Sequence, residues 1–259
     1  MSPAFATQVG HLAVRTIVRT ARQPANVIAS LAFPMALLAV NSGGLEAATD
    51  LRGFPTDSFV AFALAVPFIQ GALFSTINAG ADLARDIQTG FLNRLSLTPM
   101  RGSALLAGQL LGVMAVGVFQ AVVYLAVGLA VGVELASGVA GAIVLLAFAG
   151  LIALGFGAIG TFIALRTGSG EAVQGFFPAL FVFLFISSMN QPRNLIEIDW
   201  FRIAATVNPV SYLIEGVRSL IISGWSAEAL ALGFGFATAI SIVALVASSW
   251  ALRERLART

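Results

Sequence analysis

Long apolar runs separated by short polar segments make up most of this chain. A helix that crosses a bilayer needs about 20 mostly apolar residues. Six runs read that way: about 26–45 with Pro34, 58–81 with Pro67, 103–131, 139–165, 172–189 with Pro178, and 228–250. The first and fifth are the shorter ones. Proline inside such a run is tolerated in lipid, because neighbouring helices satisfy the carbonyl it frees. The pattern predicts an all-α integral membrane protein with six transmembrane helices in one domain over 26–250, and a tail at 251–259.

Two further segments carry an amphipathic helical period. At about 100° per residue, Gln8, His11, Arg15, Arg19 and Arg22 fall on one narrow face of residues 1–25. Ala6, Val9, Ala13 and Ile17 lie away from it, with Phe5 and Leu12 flanking. This predicts an amphipathic helix along the membrane interface, its arginines facing headgroups. Packing against a partner subunit would add to that role. In the connection between the fifth and sixth runs, Asn208-Pro209 reads as a helix start, asparagine as N-cap and proline in the first turn. Val210, Leu213, Val217, Leu220 and Ile221 then share one face; Ser211, Glu215, Arg218 and Ser219 share the other, where Ile222 is the apolar exception. Gly224 ends the segment. It reads as a short outer-leaflet helix, or as a re-entrant pair with 195–207 inside a segment 195–224. Its backbone must be buried in protein or sit at the interface. Glu215 and Arg218 are three apart and are expected to pair.

Composition sharpens this picture. The chain is 58% hydrophobic and 10% charged, where a soluble domain carries about 25% charged residues. Without cysteine there are no disulfides and no thiolate metal sites. The single histidine, His11, lies outside the apolar runs. All fourteen basic residues are arginine. A phosphate-binding loop G-x-x-x-x-G-K-[ST] needs lysine and cannot exist here; if ATP drives this protein, another chain binds it. Lysine-free, alanine-rich usage points to a high-GC, bacterial genome. The first twenty residues carry arginines through an amphipathic pattern, unlike a cleavable signal peptide.

Arginine placement sets the expected orientation. Arg15, Arg19, Arg22, Arg85, Arg94, Arg101, Arg166, Arg253, Arg255 and Arg258 flank one side of the spans; only Arg52, Arg193, Arg202 and Arg218 flank the other, which is also acidic. The positive-inside rule then puts both termini, and the charged island 82–101, in the cytoplasm of a multi-pass cell-membrane protein.

That island runs Asp82-Leu83-Ala84-Arg85-Asp86-Ile87-Gln88-Thr89-Gly90-Phe91-Leu92-Asn93-Arg94-Leu95-Ser96-Leu97-Thr98-Pro99-Met100-Arg101. It resembles the first cytoplasmic loop of ABC-2 type transporter permeases. In that loop an acidic residue, a glycine, a leucine with an arginine, and a proline precede the next span; here they are Asp86, Gly90, Leu92, Arg94 and Pro99. The arginine and Pro99-Met100 are similar to the daunorubicin-resistance type of drug-exporter permease. Ile87-Gln88-Thr89 departs from the stronger charge of many members. A second stretch, Asn208-Pro209-Val210-Ser211-Tyr212-Leu213-Ile214-Glu215-Gly216-Val217-Arg218, resembles the family's C-terminal signature. The two motifs stand in the right order between the right runs, and the resemblance covers essentially the whole chain.

The resemblance implies the permease subunit of an ABC exporter, not itself an enzyme and with no cofactor of its own. Its partners would be two copies of an ATP-binding subunit holding ATP and Mg, a second permease half, identical or paralogous, and membrane lipid; nucleic acid is not among them. A cytoplasmic coupling helix with Arg85, Asp86, Gly90, Leu92, Arg94 and Pro99 would present Arg85, Asp86 and Arg94 to the ATPase. Asn208, Pro209, Tyr212, Glu215 and Arg218 would form an outer-gate helix. A path for a lipophilic or amphiphilic substrate would use Gln70, Phe74, Asn78, Gln120, Tyr124, Phe181 and Phe185. Read as residues alone, these amides and rings serve helix packing equally well. Gly108 with Gly112, Gly128 with Gly132, and Gly155 through Gly160 are expected at close helix contacts.

Other classes fit less. An ion-coupled transporter needs ionisable groups at mid-membrane depth, and Asp82 and Glu171 lie at run edges. A membrane enzyme would have little to work with beyond Glu197 and Asp199. A non-enzymatic accessory protein stays open at this level.

Overall fold

The computed structural model describes residues 3–96 and 102–257, and among them it contains helices and turns but no strand. The helices are α1 (Pro3–Ala21), α2 (Pro24–Leu45), α3 (Phe59–Ala63), α4 (Ala65–Gln88), α5 (Phe91–Ser96), α6 (Gly102–Ala130), α7 (Gly138–Thr167), α8 (Gly170–Phe185), α9 (Asp199–Val207), α10 (Pro209–Arg218) and α11 (Ala227–Leu256). Five segments are long and apolar enough to cross a membrane: Pro24–Asp50, Phe59–Gln88, Gly102–Ala130, Gly138–Thr167 and Ala227–Leu256.

The fifth apolar run falls short of the sequence expectation. Helix α8 has 16 residues, about 24 Å at 1.5 Å per residue, against a hydrocarbon core of about 30 Å. It stops at Phe185 because Ile186 leaves the helical region. The side-chain amide of Asn208 takes up the loose carbonyls of Phe183 and Ile186. The second run differs at both ends. It breaks at Leu64, between α3 and α4: Pro67 has no N–H to give to the carbonyl four residues back. At its other end α4 continues seven residues beyond 81, to Gln88. Residues 82–88 of the charged island are therefore the last two turns of a spanning helix. Gly90, at φ +68°, makes the reversal into α5; a side chain there would be strained.

Helix α4 is the hub: 83% of its most apolar window is buried, against 17% for α2 and 22% for α11. It packs on α7, α8, α6 and α2. The α4–α7 crossing is a backbone contact. A Cβ on Gly160 would lie 1.9 Å from the Thr76 carbonyl oxygen, and the Thr76 hydroxyl donates to the Phe156 carbonyl at 3.0 Å. Small residues at the seam let two helices meet this closely where lipid supplies no hydrophobic drive. On α6, Gly108 and Gly112 receive Leu12 and Thr16 of α1. Helix α1 therefore docks on the bundle, with Val9 and Leu12 buried and Val14, Ile17 and Val18 exposed. Gly132, expected at a helix contact, instead occupies a turn at φ +92° with open space around it.

Successive long helices alternate in direction. One end of the bundle collects α1, α5, the C-termini of α4, α7 and α11, and the N-termini of α6 and α8. The other collects α3, α9, α10 and the turn between α6 and α7. These are the α1 end and the α10 end below.

Replacing Gly160 with alanine should overpack the α4–α7 seam and cost about 1–3 kcal/mol, read as a lower thermal midpoint in detergent. Gly175→Ala, on the open face of α8 with nothing within 4 Å, should leave the midpoint unchanged or raise it.

Candidate functional site

At the α1 end, Asp82 and Asp86 are one helical turn apart on α4, and Arg15 and Arg19 are one turn apart on α1, so each pair shares a face. Arg15 donates from Nη1 to Asp86 Oδ2 at 2.8 Å and from Nη2 to Oδ1 at 2.7 Å. Arg19 bridges both acids: Nη1 donates to Asp86 Oδ1 at 2.9 Å, and Nε lies 2.9 Å from Asp82 Oδ1. Gln23 adds a long contact to Asp82 at 3.4 Å. Arg15 also covers the ring of Phe91, 4.2 Å from its centroid, which ties in α5. The Asp86 hydrogen bonds hold the Arg15 guanidinium above its ordinary value, against the effect of its partial burial.

This geometry corrects two expectations. Arg15 and Arg19 turn inward to α4 and not toward headgroups. Asp86 is 8% exposed and faces α1, so it is not offered to a soluble partner. The polar groups that do lie on the surface here are Arg85, Gln88, Thr89 and Arg94. Leu92 is buried beside Leu83, Leu105 and Leu252, and anchors α5 to the bundle. Gln88 donates to the Gly168 carbonyl at 3.2 Å, joining the end of α4 to the α7–α8 turn. Pro99 and Met100 lie outside the described residues.

The interior residues do not line a single passage. Gln120 and Tyr124 both address Ser30 of α2, Gln120 Nε2 through the hydroxyl at 2.8 Å and the Tyr124 hydroxyl through the carbonyl at 2.7 Å. Asn78 lines a small chamber with Arg15, Arg19, Asp82, Asp86 and Gln109 on one part of its wall and Leu12, Leu105 and Val113 on another. Phe74 and Phe181 belong to an aromatic cluster across α2, α4 and α8. Phe33 lies 6.0 Å from each, Phe74 5.3 Å from Phe177, Phe177 4.6 Å from Phe181, and Phe181 6.0 Å from Phe185. Gln70 is fully buried, and neither amide atom has a hydrogen-bond partner among the described residues. Ser30 and Phe33, on which these contacts converge, escape a sequence reading because nothing in their own run sets them apart.

At the α10 end the expected start is as read: Asn208 Oδ1 accepts from the Val210 amide at 2.9 Å, and Pro209 opens the helix. The two-faced reading of α10 fails, because Ser211, Arg218 and Ser219 are as buried as Leu213 and Val217. Arg218 does not pair with Glu215. It donates to the carbonyls of Phe62, Ser188 and Met189, each at 3.0 Å, with its guanidinium 3.5 Å from the centre of the Phe62 ring. Glu215 is held instead by Arg193, at 2.8 and 2.7 Å. Tyr212 stacks on Phe236 at 4.7 Å and donates to the Thr206 carbonyl at 2.8 Å. Phe62 is 156 residues from Arg218 in sequence, so helical spacing could not have found the pair.

A family model described as ABC-2 type transporter matches residues 7–222, a stretch that contains both charged nodes. No curated protein matches the chain.

Asp86→Asn should leave Arg15 and Arg19 beside a neutral amide. We expect a loss of about 1–3 kcal/mol, moderated by solvent at Arg15, measured by thermal or chemical unfolding in detergent. Arg94→Gln, on the exposed surface, should stay within about 0.5 kcal/mol of the parent.

Proposed function

The chain belongs to the ABC-2 type transporter family, and on that premise we propose that it is the permease of an ATP-driven exporter for a lipophilic or amphiphilic compound. Members of this family are membrane subunits that carry no ATPase site of their own. In our reading the α1 end and both termini face the cytoplasm of a bacterial cell, and α8, with the turn after it, completes a sixth pass. Two copies of an ATP-binding subunit dock at the α1 end, and a second permease half, identical or paralogous, closes the path. The closer analogy to daunorubicin-type drug exporters rests on Arg94 and Pro99-Met100.

The observation that carries this reading is the exposed patch of Arg85, Gln88, Thr89 and Arg94, mounted on the buried clamp of Asp86 with Arg15 and Arg19. A push on α5 and the end of α4 meets no slack. Asp86 is bonded to α1, Leu92 is packed, and α4 meets α7 backbone to backbone. Closure of the nucleotide-binding pair would therefore move α1, α4 and α7 together, with the hydrogen-bonded Thr89-Gly90 turn carrying the push from α5 to α4. The aromatic cluster of Phe33, Phe74, Phe177 and Phe181 gives an apolar flank for the substrate, and Gln70 leaves an amide donor and acceptor unused beside it in sequence. The outer helices around Asn208 to Arg218 would form the exit. Asp82, at the edge of the second apolar run, is engaged by Arg19, which argues against the ion-coupled alternative.

Reversing both exposed arginines, Arg85→Glu with Arg94→Glu, should weaken capture of the ATP-binding subunit about tenfold or more. The thermal midpoint of the permease should hold. Co-purification from native membranes and substrate-stimulated ATP hydrolysis read this out. Undiminished capture would move the docking surface elsewhere, and no ATPase with the parent chain would overturn the reading.

A further inference from the structure

The α10 end holds a cleft of about 540 Å³, lined by Arg193, Arg202, Arg218 and Glu215, with Phe62 and Ile222 among its apolar walls. Its charges do not balance. Glu215 makes a two-point contact with Arg193 and is also the carboxylate that acts on Arg218 through space, so one acid serves two arginines. Arg202 meets Asp199 on the exposed rim, where attraction is screened by water. Arg218 is 5% exposed and has three carbonyls but no carboxylate within bonding distance. Carbonyls satisfy hydrogen bonds without cancelling charge. A guanidinium has five N–H groups; three are used, which leaves one on each terminal nitrogen. A buried cation that shares its counter-charge with a second arginine and does not touch it is costly, and an anion beside it offsets that cost.

A second feature says what kind of anion. On α9, Arg202 and Thr206 line the cleft, while Trp200, Ile203 and Val207 are 65%, 62% and 74% exposed. These three recur at helical spacing and form an apolar stripe beside the arginine. A ligand with its charge in the cleft could lay hydrocarbon along that stripe.

We propose that the cleft binds the phosphate or carboxylate headgroup of an anionic amphiphile, held between Arg202 and Arg218. Arg218 supplies the fixed charge and Arg202 the adaptable one. Arg193 stays with Glu215 and shapes the wall. The site stands on the cleft's own geometry; its use as an exit station for substrate rests on the permease reading above.

The test is native mass spectrometry of the detergent-purified full chain, titrated with phosphatidylglycerol and with phosphatidylcholine. Phosphatidylglycerol should bind about tenfold more tightly, the scale of one charge-assisted contact. Arg202→Gln should remove most of that preference, and Arg22→Gln, an exposed arginine at the opposite end, should not. Arg218→Gln should remove it too; should that variant fail to fold, Arg202→Gln still decides. Displacement of the lipid by excess inorganic phosphate supports a site open to the free anion, and retention supports one that needs the hydrocarbon chains. Equal binding of the two lipids, a preference that survives Arg202→Gln, or one lost equally in Arg22→Gln overturns the proposal. The readout involves no ATPase, so a failed capture experiment leaves this result standing.

Discussion

Hydrocarbon offers no hydrogen bonds, so each polar group that a membrane chain carries inward must find its partner in the protein. Several buried polar groups in this molecule meet that constraint in the same manner, by reaching a backbone carbonyl on another helix. Thr76 reaches Phe156, Gln109 reaches Ala79, Tyr124 reaches Ser30, Ser241 reaches Leu151, and Ser248 reaches Ala158. Arg218 reaches three carbonyls, one on α3 at Phe62 and two in the segment after α8 at Ser188 and Met189. Such bonds pin helices in register as well as in contact, and they need close approach. That is why glycine occupies the α1–α6 and α4–α7 seams.

The two ends of the bundle solve their charge differently. At the α1 end, cations and acids alternate across a helix pair, and the cluster neutralises itself: Arg15 and Arg19 against Asp82 and Asp86. The result is a rigid joint between an N-terminal helix and the most buried helix of the fold. At the α10 end the buried guanidinium is fixed by neutral carbonyls, and the acid nearest in charge, Glu215, is shared with Arg193. A self-neutralised joint suits transmission of force; a partly cancelled charge beside a cleft suits a ligand.

A charged segment between two spans invites a reading as a loop that faces the solvent whole. Here it divides. Residues 82–88 are helix, and one side of that helix is sealed by α1. Among the described residues, Arg85, Gln88, Thr89 and Arg94 remain on the surface. Helical periodicity separates them: Asp82 and Asp86 share one face, while Arg85 is turned about 100° from Asp86.

The sequence by itself determined the class of molecule, the runs that become long helices, and the start of α10 at Asn208-Pro209. Hydrophobic length, composition and capping chemistry are local properties, each readable within about 20 residues. It also singled out Asp86, Glu215 and Arg218 as charged residues of interest. Only the tertiary structure decided whom they meet. Arg15 and Arg19 looked like headgroup contacts because the acids that claim them are about 70 residues away. Glu215 and Arg218 looked like a pair because they share a helix. Each is instead taken by groups from other segments, at separations of 22 to 156 residues. An amphipathic face shows only that a helix has two sides; what covers each side is fixed when helices pack, and packing is not written in any one of them.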